Sequence, residues 1–308
     1  MESVTFKNKS WDVAADLHLP EGFDARKAYP AIVVAHPISS CKEQTAAIYA
    51  SKLASLGYVC LAFDASTQGG SGGPGRYLED PATRVEDFRC AVDFLVTQGF
   101  VDAERIGVLG LCGGGAYAAN AAMTERRFKA VATVVAANFG RIMREGDRSP
   151  NAAIAALEGI CAQRTAEAQG TESAIVGYVP FANQEQRRQA GVVDVDMTEA
   201  IDYYLSPRGQ KPGSPNKLNL TSTLPVYGWD AFHLADQLLT QPLQVIVGGG
   251  QPGAFGSYRD GFELFNKARS TEKEIFVVPG ATHYDLYDQP EPIALAMKKL
   301  EAFFGEKL

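Results

Sequence analysis

The sequence predicts an α/β protein with a mostly parallel sheet, helices on both faces and a late helical insertion. Three observations carry this reading. Short apolar runs alternate with helix-patterned segments, the rhythm of a parallel sheet buried on both faces. One such run, Arg105–Leu111, passes through a glycine-rich turn directly into a small-residue helix pattern at Gly113–Met123. The alternation then breaks over residues 141–222, where helix patterns persist and strand patterns vanish.

Taken in order, Val4–Asn8 and Val13–Leu19 read as an antiparallel pair. Ala31–Ala35 is a buried strand ending in His36-Pro37. Lys42–Leu56 alternates in helical fashion and stops at Gly57, a fitting C-cap. Tyr58–Phe63 is the next buried strand and ends at Asp64. The glycine-rich loop Gly69–Gly75 leads to a helix over about Ala82–Thr97. After the Arg105–Met123 unit, Lys129–Ala137 is a further β-rich run. The core resumes with Leu243–Val247, a helix over about Ser257–Arg269, the strand Glu274–Val278 and a closing amphipathic helix, Pro290–Phe304. Residues 1–140 and 223–308 thus form the predicted core, and 141–222 the insertion.

That insertion holds helix patterns at Asn151–Glu167 and Thr198–Leu205 and a Pro/Gly/Lys patch at Ser206–Lys217. Its nine basic and ten acidic residues nearly balance, so it is no polybasic arm. A long insertion between core strands is commonly a lid over a site.

The chain has 308 residues, enough to bury roughly 75% of its unfolded surface without staples. A net charge of −7 and a pI near 5.2 argue against nucleic acid and anionic membranes as partners. The five cysteines (Cys41, Cys60, Cys90, Cys112, Cys161) follow no disulfide or zinc spacing. Cys60 and Cys90 lie in apolar runs and read as core. With no signal-peptide pattern and no long apolar span, a reducing cytoplasm is the expected location.

The chemistry is concentrated in Gly110-Leu-Cys112-Gly-Gly114. A strand that turns at once into a helix forces the turn residue into a strained positive-φ conformation, and the residues two before and two after must be small. Gly110 and Gly114 meet that demand. Cys112 is then a nucleophile at a helix N-terminus, where the dipole favours a thiolate. A buried inert cysteine is the alternative, and the flanking strand and helix weigh against it.

His283 follows the last strand in Val278-Pro-Gly-Ala-Thr-His-Tyr-Asp285, the position and chain order of a general base. Of the other three histidines, His18 lies in the N-terminal hairpin, His36 ends a strand, and His233 reads as a core or capping group. The expected oxyanion hole is the backbone N–H of Gly113 with that of Ile38. The third triad member stays open. Gly248–Gly256, where an acid belongs, contains no Asp or Glu. Asp260, Asp230, Asp285, the amide of Gln251, or none of them completes the set; a Cys–His dyad can work unaided because a thiol ionises readily. Gly70-Ser-Gly-Gly-Pro-Gly75 matches G-x-G-x-x-G, but the glycines do not open a helix and Pro74 interrupts them. It reads as a flexible loop at the mouth of the site. No P-loop, zinc or basic-aromatic pattern occurs, so neither cofactor nor metal is expected.

His36-Pro37, Lys42-Glu-Gln-Thr45, Phe63-Asp64, Gly-Leu-Cys-Gly-Gly-Gly115, Asp230-Ala-Phe-His233 and Gly-Ala-Thr-His-Tyr-Asp-Leu-Tyr287 together resemble a branch of the α/β-hydrolases. That branch is described variously as dienelactone-hydrolase-like, S15-peptidase-like, and as polyketide transferases or thiohydrolases. The likeness covers nearly the whole chain. It implies the α/β-hydrolase fold, a nucleophile at Cys112, a base at His283 and an acid after the penultimate strand, from which this chain departs. Dienelactone hydrolases proper are shorter and carry a glutamate near the thiol, where this chain has His36, so dienelactone itself is not the expected substrate.

The expected activity is acyl transfer through a Cys112 acyl-enzyme, as a thioesterase or acyltransferase on a carrier- or CoA-bound acyl group. Hydrolysis of small carboxylic esters is the rival within enzymes, and a catalytically silent binding module on a hydrolase scaffold the rival outside them. The acyl group, the acceptor and the oligomeric state, homodimer included, are left open.

Overall fold

The computed structural model describes residues 1–145 and 149–308. Eight strands form one sheet: β1 (Glu2–Asn8), β2 (Trp11–His18), β3 (Tyr29–Ala35), β4 (Val59–Phe63), β5 (Val101–Leu111), β6 (Phe128–Val134), β7 (Leu243–Gly249) and β8 (Lys273–Pro279). Their spatial order is β1-β2-β4-β3-β5-β6-β7-β8. β2 runs antiparallel to β1 and β4, and the pairings from β4 through β8 are parallel. The central strands are mostly apolar, β4 at every position, because helices cover both faces. This is the α/β-hydrolase fold.

Each predicted core element is present, with shifted ends. β5 starts four residues early, at Val101, and carries an irregularity where Ile106 and Gly107 pair with β6. The closing helix continues to Lys307. Cys60 is fully buried, whereas Cys90 is only half-buried on the outer side of the helix Pro81–Val96.

Between β6 and β7 the chain forms α1 (Phe139–Glu145), α2 (Pro150–Ala168), α3 (Gln184–Gln189) and α4 (Val195–Tyr204), plus a two-residue antiparallel pairing of Ile175–Val176 with Leu218–Asn219. That small pairing was not visible as a sequence pattern. Among the described residues no helix is long and apolar enough to cross a membrane.

The parallel strands place their C-terminal ends along one edge. There the loops after β3, β5, β6, β7 and β8 converge, and in an open α/β sheet that edge is where ligands bind. The loop at Gly69–Gly75 follows β4, whose C-terminal end lies beside that of β3, and it is not free. Gly72 N–H donates to Asp12 O of the hairpin, Gly70 N–H to the Asp64 carboxylate, and Arg76 donates to the carbonyls of Gly69 and Ser71. The expectation of a flexible loop at the mouth of the site is corrected: Asp64 and the N-terminal hairpin pin it.

Candidate active site

Cys112 occupies the sharp turn between β5 and the helix Gly113–Thr124, with φ 53° and ψ −124°. A non-glycine residue there costs of order 1–3 kcal/mol and persists only where its surroundings over-determine it. The glycines do that. A Cβ on Gly110 would stand 2.3 Å from Gly114 O, and one on Gly114 2.4 Å from His36 O. Gly113 is equally constrained, since its Cβ would fall 2.4 Å from the Ile38 side chain. The helix is therefore pressed against the end of β3, which puts the Ile38 loop beside the sulfur.

The Cys112 sulfur lies beside the Tyr287 hydroxyl and the backbone N–H groups of Gly113 and Ile38. The two residues predicted for the oxyanion hole are thus brought to Cys112. The side chain is 2% exposed. Burial pushes its thiol up to about 11, although the Tyr287 hydroxyl and the two N–H groups pull the other way. The expectation that the helix N-terminus favours a thiolate is corrected for the resting site: desolvation outweighs the dipole.

His283 lies 4% exposed in the turn after β8. Its Nδ1 is 2.8 Å from Ser257 Oγ and its Nε2 3.1 Å from the Tyr287 hydroxyl. Burial pulls the imidazole down to about 3, so it rests neutral. With Nδ1–H donating to Ser257, Nε2 is free to accept a proton, the tautomer a general base needs. Tyr287 stands between His283 and Cys112.

None of the proposed acids is bonded to His283. Asp260 is fully buried but pairs with Arg141 and accepts from Asn138 N–H. Asp230 accepts from Asn138 Nδ2 and Phe232 N–H. Asp285 accepts from Thr282 N–H. Gln251 is exposed and lines a cavity of about 10 Å³ with His283 and Ser257, without a bond to the ring. His36 joins two loops rather than reaching the sulfur. Its Nδ1 lies 2.6 Å from Pro37 O, its Nε2 accepts from Ala65 N–H, and burial holds it neutral near 3. His18 is buried in β2; His233 is exposed rather than core, with Nδ1 3.0 Å from Asp230 O.

Residues missed in the sequence make up the rest of the site. Ser257 opens the helix after β7, one position past a left-handed Gly256. Tyr287 sits four residues after His283 across the short helix Asp285–Asp288, and that i, i+4 spacing was the available signal. Tyr178, Tyr203 and Tyr204, from the insertion, pack against Phe255, Tyr284 and Tyr287. Asp196, on α4, also lines the small cavity beside His283. A larger cavity of about 790 Å³ shares Pro252, Gly253, Gly256 and Tyr258 with it and opens beside Arg144 and Arg259.

Cys41, Glu43 and Asp64 bring ligand-type atoms within 4.8 Å of one another. Their demands are already met. Asp64 accepts from the N–H groups of Lys42 and Gly70, and Glu43 pairs with the Lys42 ammonium. Burial raises the Cys41 thiol well above its ordinary value, which disfavours the thiolate a metal would need.

Comparison with known proteins agrees with this architecture. A model described as "Alpha/beta hydrolase family" matches residues 16–296. The chain is 40% identical over 301 residues to uncharacterized protein YcjY of Escherichia coli (strain K12), covering 98% of this chain and 96% of that one. It is 29% identical over 226 residues to thiohydrolase aneE of Aspergillus aculeatus, covering 71% and 69% of the two chains. The crystal structure of hypothetical protein PA2218 from Pseudomonas aeruginosa superposes with a TM-score of 0.89 at 32% identity, covering 100% of this chain and 93% of that one. The chain belongs to the alpha/beta hydrolase family.

Proposed function

We propose that the protein is an acyl-transfer enzyme, a thioesterase or acyltransferase, that works through a Cys112 acyl-enzyme. One observation carries this reading: the Cys112 sulfur sits on the strained elbow facing the N–H groups of Ile38 and Gly113. Two main-chain donors converging there suit the oxyanion of a tetrahedral intermediate. The likeness to a thiohydrolase supports a thioester donor, and exchange between thioesters is nearly isoenergetic for a sulfur nucleophile.

In this account the thiol proton passes to His283 Nε2, directly or through the Tyr287 hydroxyl, as sulfur bonds to the acyl carbon. The imidazolium returns that proton to the leaving thiol or alcohol as its bond to carbon breaks. Water or an acceptor nucleophile then gives its proton to Nε2 as it attacks the acyl carbon, and the imidazolium returns that proton to the Cys112 sulfur as the carbon–sulfur bond breaks. The insertion acts as a lid, since its tyrosines cover the site and the acyl group needs room that the closed packing does not offer.

Steady-state rates on short aryl esters and on acyl-CoA thioesters, each with the wild type and Cys112→Ala, test the reading. Turnover favouring thioesters and abolished in Cys112→Ala is expected; turnover retained in Cys112→Ala refutes it. The burial of Cys112 favours a second reading, a silent binding module, in which wild-type and Cys112→Ala proteins show equally negligible turnover.

A further inference from the structure

The loop after β7 lacks a carboxylate, yet a buried one reaches that loop from outside it. Asp196 lies in the first turn of α4 and is 2% exposed. Its Oδ2 accepts from Phe255 N–H at 2.8 Å, which ties the insertion to the loop where the acid belongs. Its carboxylate is seated directly on Gly253. A Cβ there would stand 2.2 Å from the carboxylate carbon, so the loop needs glycine at this point to admit it. Asp196, Ser257 and His283 then line the same small cavity of about 10 Å³, roughly the space of one water molecule. On the far side of the ring, Ser257 Oγ faces His283 Nδ1.

We propose that Asp196, supplied by the insertion, replaces the acid missing after β7 and acts as a positioning residue that steadies His283 as it becomes imidazolium. The coupling runs through Ser257 and the shared cavity. Ser257 Oγ accepts from Nδ1–H and keeps its own proton to donate towards the carboxylate through one water in the shared cavity. Asp196 takes no proton in the reaction. The thiol proton goes to Nε2, and the aspartate supplies the opposing charge until the leaving group removes it. A lid that carries part of the machinery links closure to competence: with α4 displaced, His283 loses its counter-charge.

The inference rests on the reading of Cys112 and His283 as nucleophile and base. The charges around Asp196 are few and opposed. Burial pushes its carboxyl up to about 7, the Phe255 N–H pulls it down, and the charges of Asp194, which caps its helix, and Glu199 add to the rise. The Arg141 guanidinium donates to Phe255 O and is already neutralised by Asp260. Cys112 feels the Asp196 charge, which raises its thiol. His283 and the Tyr258 phenol complete the set facing the cavity.

The experiment measures turnover of p-nitrophenyl acetate against pH, and iodoacetamide labelling of Cys112, in the wild type, Asp196→Asn, Asp196→Glu, Gly253→Ala and Cys112→Ala. Asp196→Asn is expected to lower turnover about tenfold or more and to remove the acid limb near neutral pH. Asp196→Glu restores part of the rate. Gly253→Ala leaves the aspartate in place but pushes it off its seat, and shows the same loss. Labelling of Cys112 is not slowed in Asp196→Asn, because removing the nearby negative charge eases thiol ionisation; a loosened or misfolded site does not give this opposite pair of signs. Turnover of both Asp196→Asn and Gly253→Ala within about twofold of wild type, with the acid limb intact, overturns the inference. If Cys112→Ala turns over like wild type, it is the nucleophile reading that has failed.

Discussion

The Tyr287 hydroxyl lies 3.1 Å from His283 Nε2 and beside the Cys112 sulfur, whose ionisation it favours. The resting site therefore holds a phenol between His283 and Cys112. Burial keeps that phenol far above its ordinary ionisation range, so it serves as a neutral donor and acceptor. Its place beside the sulfur favours the thiolate. Tyr287→Phe is expected to slow iodoacetamide labelling of Cys112 and to lower acyl turnover about tenfold or more, the lower range for an assisted proton transfer. Unchanged labelling and turnover remove Tyr287 from the mechanism.

The pH dependence of Cys112 follows from the same packing. Burial holds the thiol near 11 and the imidazole near 3, so at neutral pH the pair is uncharged and not a thiolate–imidazolium ion pair. Below about 11 the thiolate fraction rises about tenfold per pH unit. Labelling at Cys112, followed by peptide mass to separate it from exposed Cys161, should climb steadily from pH 7 to 10 by this rule. A plateau reached below about pH 8 contradicts the neutral pair.

Asp260 is the sequence candidate that the structure assigns to stability. Its carboxylate makes two bonds to Arg141 and accepts from Asn138 N–H, tying the start of the insertion to the helix after β7. Asp260→Asn leaves the Arg141 guanidinium buried without its counter-charge, at a cost of about 3–5 kcal/mol. The urea midpoint should fall accordingly, while the folded enzyme keeps its turnover. A variant with an unchanged midpoint but lost activity reverses the assignment.

At the elbow, Gly114→Ala introduces a methyl 2.4 Å from a backbone carbonyl that has little room to retreat. Overpacking of this kind costs about 1–3 kcal/mol. Here the displaced element also carries the Ile38 N–H, so turnover should drop with stability. Urea unfolding and ester turnover, measured together, check this; a variant as stable and as active as wild type shows that the elbow tolerates a side chain.

The core was legible because its strands are short, apolar and separated by turn signals, and because the elbow needs glycine at fixed offsets from Cys112. His283 was singled out from chain order alone, and the structure places its ring beside Tyr287 and Ser257. Ser257 and Asp196 were not. Ser257 reads as an ordinary residue at a helix start, and only the three-dimensional turn at Gly256 aims it at Nδ1. Asp196 lies 87 residues before His283, in a segment whose pattern shows helices but not what they cover. Periodicity records burial within an element, not the partner on the other side. The state of the sulfur was misread for a related reason: the helix N-terminus is visible in the sequence, while the phenols that desolvate Cys112 come from distant segments.

Intact-mass spectrometry of the protein quenched during turnover of an acyl-CoA thioester or an aryl ester tests the central claim most directly. The account predicts one added acyl mass on the wild type, mapped to Cys112 and absent from Cys112→Ala, with the adduct lasting longer in His283→Gln once formed. An acyl mass on another residue, or turnover by Cys112→Ala at the wild-type rate, contradicts it.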